Sequence, residues 1–225
     1  MMEKALTLCG YFLNTSPHTG AGVLKRILAS LAILVAVPAS IAWASSSSSV
    51  RVHVVDERGV PVRDAVVELD VSGAGGRITF PWRMAMAQKN EQFVPGTLVV
   101  ARGSTVAFPN LDRVRHSIYS FSKPARFEID LYGRDQTRSQ RFAVAGTVAL
   151  GCKIHDGMRG YIRVTDTPFA GKTNGNGIVT VAGAPTGTAK VVIWHPQLRA
   201  PGGEKSLSVA LASGSQSRKI AVSLR

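Results

Sequence analysis

Cys152, His155 and Met158 fall within one short stretch, Gly151-Cys152-Lys153-Ile154-His155-Asp156-Gly157-Met158. A thiolate, an imidazole and a thioether form a soft donor set, and that set suits copper above the other biological metals. The stretch sits between an apolar run ending near Leu150 and another starting near Tyr161. The three donors are therefore expected in one tight loop between two strands. A mononuclear copper centre of the blue type needs two imidazoles and a thiolate in a near-trigonal plane, with a weak axial thioether. The loop supplies three of those four. His116, at the start of the strand-like run His116-Ser-Ile-Tyr-Ser-Phe121, is the best candidate for the fourth.

The surrounding residues exclude neighbouring chemistries. A dinuclear copper centre would need a second cysteine in the loop, and the multicopper oxidases carry histidine on both sides of the cysteine. Here Gly151 and Lys153 flank Cys152. A structural zinc site favours cysteine and histidine without methionine. His18, His53 and His195 do not cluster with the loop in sequence; His53 reads as a surface residue, and His195 as structural or solvent-facing. No nucleophile–base pair or set of paired carboxylates points to catalysis, and the expectation is a protein that is not an enzyme.

The two cysteines bear on compartment. Lys25 and Arg26 precede the apolar run Ile27–Val37, and Ala42-Trp43-Ala44 follows, which is the order of a signal peptide with cleavage after Ala44. The apolar run falls short of the roughly 20 residues of a membrane span. Residues 1–22 are unusual ahead of such a signal and raise a start at Val23 or Leu24. Cys9 lies in the segment to be removed, so the mature chain would carry Cys152 alone in an oxidising compartment, expected to be the periplasm. A solitary exported thiol is either buried or held by something. The net charge of +13 favours acidic protein partners or anionic membrane surfaces. Lys and Arg are scattered and form no basic stripe interleaved with aromatics, so nucleic acid is not expected as a partner.

The elements that must position these donors read almost entirely as β. Ser45–Ser49 is a low-complexity linker, and strands are expected at 50–56, 65–71, 97–101, 104–108, 116–121, 140–144, 147–152, 159–165, 178–182, 188–194, 206–211 and 219–225, most of them separated by Gly, Pro or Asn. No segment after residue 45 sustains an apolar period of 3.6, so no long helix is expected. The fold class is all-β: a Greek-key sandwich carrying the donors, flanked by further sandwich-like segments. The expected division is a segment at 50–87, a donor-bearing domain at 88–165 and a C-terminal domain at 166–225.

Phe93-Val-Pro95, Leu98–Gly103, Val106–Asn110, His116 and the Cys152–Met158 loop together resemble the cupredoxins, plastocyanin and amicyanin in particular. The resemblance covers about residues 88–165. It implies one type 1 copper, bound through Nδ1 of His116 and His155, a short bond from Cys152, and Met158 as the long axial ligand. It also implies that Asn110 fixes the ligand loops from behind, and that Ser117, standing where the family has Asn, hydrogen-bonds across them. The flanks, Val50–Val71 and Gly171–Leu198, resemble carboxypeptidase-regulatory-like sandwiches, and the combination resembles chains labelled methylamine utilisation proteins. The implied function is single-electron transfer between redox proteins, with a dehydrogenase or cytochrome as partner. The alternatives are a copper carrier or sensor module without redox turnover, and a structural β-protein with a vestigial site.

Overall fold

The computed structural model describes residues 47–225. The signal segment and its cleavage point after Ala44 lie outside the described residues. In chain order the strands are β1 (Ser47–Asp56), β2 (Val66–Val71), β3 (Ala87–Gln88), β4 (Phe93–Val94), β5 (Thr97–Ala101), β6 (Thr105–Pro109), β7 (His116–Ser122) and β8 (Ala125–Tyr132). They continue as β9 (Thr137–Arg141), β10 (Gly146–Gly151), β11 (Arg159–Thr165), β12 (Ala170–Lys172), β13 (Ile178–Pro185), β14 (Gly187–Trp194), β15 (Glu204–Leu211) and β16 (Gly214–Val222). Apart from a single 3₁₀ turn at Pro201–Gly203, the described residues contain no helix, and none is long and apolar enough to cross a membrane. The all-β expectation holds.

The two ends of the described chain build one sandwich. One sheet has the order β13–β1–β16, with β1 antiparallel to β13 and parallel to β16, and the other has the order β12–β2–β14–β15. Val50, Val52 and Val54 on β1 alternate inward and meet Leu69, Val191, Ile193 and Ile220 in a shared core. This alternation is what a sheet with one buried face requires. Residues 50–71 and 166–225, read separately from the sequence, are thus joined through two sheets. The expected serine linker is corrected in part. Ser47–Ser49 belong to β1, where Ser48 is buried and its hydroxyl donates to the Ala184 carbonyl at 3.0 Å. Pairing on both sides of β1 overrides the low strand propensity of serine.

The middle of the chain forms the second sandwich. A five-stranded sheet, ordered β5–β11–β10–β7–β8, faces the β6–β9 ladder and the short β3–β4 pair. Between them lies a core of Leu98, Val100, Phe108, Ile118, Tyr132, Phe142, Val148, Leu150 and Ile162, which also takes in Cys152 and Met158. Strand β8 was not anticipated, although Ala125, Phe127 and Ile129 alternate inward from exposed Arg126 and Glu128. The strand expected at 140–144 is shifted to Thr137–Arg141, because its pairing partner β6 is met from Pro109↔Thr137 to Thr105↔Arg141.

Strand β5 is buried on both faces, which explains its unbroken apolar run. Leu98 and Val100 enter the middle core, whereas Val99 points the other way to Val66 and Trp194 of the terminal sandwich. Arg163 of β11 projects from that same outer side. Its guanidinium donates to both oxygens of Glu68, at 3.1 and 2.5 Å, and to Glu204 at 2.5 Å. Arg163 and Glu68 are buried, so the two sandwiches are joined by a desolvated fork as well as by an apolar patch.

Candidate metal centre

His116 opens β7 and Cys152 immediately follows the last residue of β10. The ladder between β7 and β8 slips between His116↔Tyr132 and Ile118↔Ile129, so Ser117 faces two residues, Asp130 and Leu131, and the bulge lies on β8. That bulge breaks the alternation on β8, where Asp130 and Leu131 are both exposed. Here His116 and Ser117, although adjacent, are both buried, and both meet Cys152. Gly151 pairs with Tyr119 across the sheet, and a Cβ at Gly151 would stand 2.6 Å from the Tyr119 ring. The chain then turns back through residues 152–158, closed by the Met158 N–H donating to the His155 carbonyl at 2.9 Å.

The loop and the strand bring three donors together. Cys152 Sγ lies 3.8 Å from His116 Nδ1 and 3.8 Å from His155 Nδ1, and the three atoms all fall within 4.8 Å of one another. A metal bonded at about 2.0 Å to nitrogen and about 2.3 Å to sulfur, with bonds at about 120°, needs nitrogen and sulfur about 3.7 Å apart. The observed spacing fits that triangle. Cys152 is 3 % exposed and His116 fully buried, while the His155 side chain keeps 21 % of its surface in solvent. Met158 is buried in the same core as Cys152.

Burial pushes the Cys152 thiol up, but the N–H groups of Ile154 and Ser117 and the imidazoles of His116 and His155 outweigh it and bring it to about 6. A group poised as thiolate near neutrality is a ready metal ligand. Ser117 Oγ accepts from the Lys153 N–H at 3.0 Å and stands 3.9 Å from Cys152 Sγ, so this serine links β7 to the 152–158 loop. Asn110 is buried behind it. Its amide donates to the carbonyls of Val114 at 2.9 Å and Tyr132 at 3.0 Å, and its Oδ1 accepts from the Asp112 N–H at 2.9 Å. These bonds hold the loop that delivers His116.

Three of the four expected donors, His116, Cys152 and His155, therefore converge at one end of the middle sandwich, with Ser117 against the sulfur and Asn110 holding the loop before His116, while Met158 is placed in the same core as Cys152. Two residues escaped the sequence reading. Asp112 Oδ2 is 2.8 Å from His116 Nε2, and Glu91 Oε2 is 4.0 Å from His155 Nε2. Burial raises the Asp112 carboxyl, but hydrogen bonds from the Glu91 N–H, His116 and the Asn90 N–H leave it below its ordinary value. The only available signal was an acid in the same short loop as an anticipated ligand. His53 on β1 and His195 after β14 lie in the terminal sandwich and outside the donor cluster. Burial depresses His195, which accepts from the Gln197 N–H at 3.3 Å.

No protein-family model matches the chain, and no curated protein matches it significantly. Solved structures do. A copper-containing nitrite reductase from Thermus scotoductus matches 42 % of this chain at 24 % identity and a TM-score of 0.36, and the match spans only 25 % of the reductase chain. A reduced amicyanin variant matches 45 % of this chain and 99 % of its own length, at 19 % identity and a TM-score of 0.35. The reduced Cu(I) form of another amicyanin variant matches 44 % and 98 %, at 20 % identity and 0.35. Likenesses of this size are partial, and the case for a metal site stands on the His116–Cys152–His155 triangle itself.

Proposed function

We propose that this chain is an exported, periplasmic type 1 copper protein that binds one copper and passes single electrons between redox proteins, acting as a carrier and not as an enzyme. The observation that carries the reading is the buried sulfur flanked at 3.8 Å by two Nδ1 atoms. Cys152, His116 and His155 would hold the metal, and Met158, from the same loop, would supply a weak thioether donor. Bound copper supplies a one-electron couple between Cu(I) and Cu(II).

The residues around it supply rigidity and access. His116 is anchored by β7 and by Asp112, and Cys152 by the end of β10 and by Ser117, so the donors stay in place in either oxidation state. Burial of Cys152 and His116 keeps water from the sulfur. His155 is the ligand whose ring edge reaches solvent. Exposed Ile154 and Gly157 border it within the loop, with Ile154 half in solvent at 51 %. A partner's redox group that docks on this rim would come within one side chain of the centre. The excess positive charge favours an acidic partner, a dehydrogenase or cytochrome, through steering that weakens with salt.

Voltammetry of the copper-loaded mature protein tests the electron-carrying role. A reversible one-electron wave with fast exchange is expected. Slow, irreversible reduction together with copper release to an apo acceptor would identify a copper carrier instead.

A further inference from the structure

A cavity of about 420 Å³ opens where the two sandwiches meet, and none of its lining residues belongs to the donor cluster. The segment 72–86, which carries the chain from β2 to β3, crosses that junction. Phe80 and Trp82 of this segment stack with ring centroids 4.6 Å apart and planes within 7°. Both pack against the Val66–Val99–Trp194 patch, and the Trp82 Nε1–H donates to the Val99 carbonyl at 2.8 Å. The indole is thus locked in place, and with Pro95, Leu98 and Val99 it gives the cavity an apolar wall. Preformed apolar cavities of this size with a few placed polar groups are the usual form of a small-molecule site, and domain junctions are a common location for them.

The charged groups on the cavity are both cations, and no acidic side chain lines it. Lys172, at the end of β12, donates to the Thr97 carbonyl at 3.0 Å and pairs with Asp64 at 2.8 Å. An ammonium carries three protons, so one donor is left over. Asp64 is shared with Arg63 at 3.4 Å and only partly offsets the lysine. Arg83 lines the cavity from the connecting segment, is exposed, and has no carboxylate partner among the described residues. A planar guanidinium matches a carboxylate through two parallel hydrogen bonds. We propose that this cavity binds a small aromatic carboxylate, with its ring against Trp82, Leu98 and Val99 and its charge on Arg83 and the spare donor of Lys172. The site goes beyond the electron-carrying role and does not depend on copper.

The experiment uses the purified mature protein and two probes of one shape, 2-naphthoate and its neutral amide, 2-naphthamide. Calorimetric titration measures binding, and the NMR shift of the Trp82 indole N–H locates it. 2-Naphthoate should move that resonance saturably, with a Kd below about 1 mM. The amide should bind at least about tenfold more weakly, the worth of one hydrogen bond to a charged group. Arg83→Ala, at an exposed side chain, should weaken 2-naphthoate by a similar factor and leave the amide unchanged. Ala85→Phe, which puts a ring into the cavity from its lining, should abolish the binding of both.

Failure of 2-naphthoate to shift the Trp82 resonance would overturn the proposal. So would equal affinity for acid and amide, or an affinity for 2-naphthoate that survives Arg83→Ala. Should Ala85→Phe not fold, the amide and Arg83→Ala comparisons decide the matter by themselves. A protein that binds no copper would defeat the functional reading, and the same titrations would still decide this site.

Discussion

Cys152 is defined by what touches its sulfur: two imidazole nitrogens at 3.8 Å and the Ser117 hydroxyl at 3.9 Å. The donor residues were legible in the sequence because C-x-x-H-x-x-M is a local pattern, and a loop between two strands keeps local patterns together. Asp112 and Glu91 were not legible, because their meaning depends on how the 89–92 turn folds back over the β6–β7 loop. Ser117 permits a prediction at this scale. Its hydroxyl is placed to donate to the thiolate, which favours the reduced form by spreading charge off the sulfur. A hydrogen bond is worth about 0.5–1.5 kcal/mol, which for one electron is about 20–60 mV. Ser117→Ala should lower the reduction potential of the copper protein by that amount, read by redox titration. A potential that rises or stays put would mean that the hydroxyl serves Lys153 alone.

The ligand loop is short, and the strands that carry it leave little tolerance. Gly160, two residues past Met158, pairs with Leu150 where β11 leaves the loop. A Cβ there would stand 2.8 Å from the Cβ of Phe93, itself buried in the middle core. Because Phe93 Cβ is fixed to its backbone, rotating the ring does not relieve the contact. Gly160→Ala should cost about 1–3 kcal/mol in chemical denaturation, the usual penalty for overpacking. A variant as stable as wild type would show that β4 can yield. The strand expected at 159–165 coincides with β11, whose apolar residues alternate in the ordinary way. Strand β8, at the sheet edge, is bounded by Pro124 and Gly133, but Arg126, Glu128 and Asp130 on its polar face interrupt the apolar run that would announce it.

At the scale of the whole molecule, the sandwich that carries the His116–Cys152–His155 cluster does not stand alone. The chain leaves the terminal sandwich after β2, builds the middle one, and returns at β12. No local pattern announces that β1 will lie between β13 and β16, since pairing across more than 120 residues is set by matched apolar faces and not by neighbours in sequence. Arg163 and Glu68 join the two bodies, and both carry little exposed surface. Removing one partner of a buried ion pair strands the other charge, at about 3–5 kcal/mol. Arg163→Ala should lower stability by about that much, and Arg163→Met with Glu68→Leu should recover most of it. Unfolding followed by a fluorescence signal from Trp194 would report the interface directly, because that ring packs there with Val66 and Val99. Equal stability of Arg163→Ala and wild type would show that the apolar patch alone holds the sandwiches together.

The most direct test of the account is the visible absorption of the mature protein loaded with one equivalent of Cu(II). Charge transfer from the Cys152 thiolate should give an intense blue band that disappears in Cys152→Ala. A copper-loaded wild type without that band, or a band that survives the loss of Cys152, would contradict the assignment of this site.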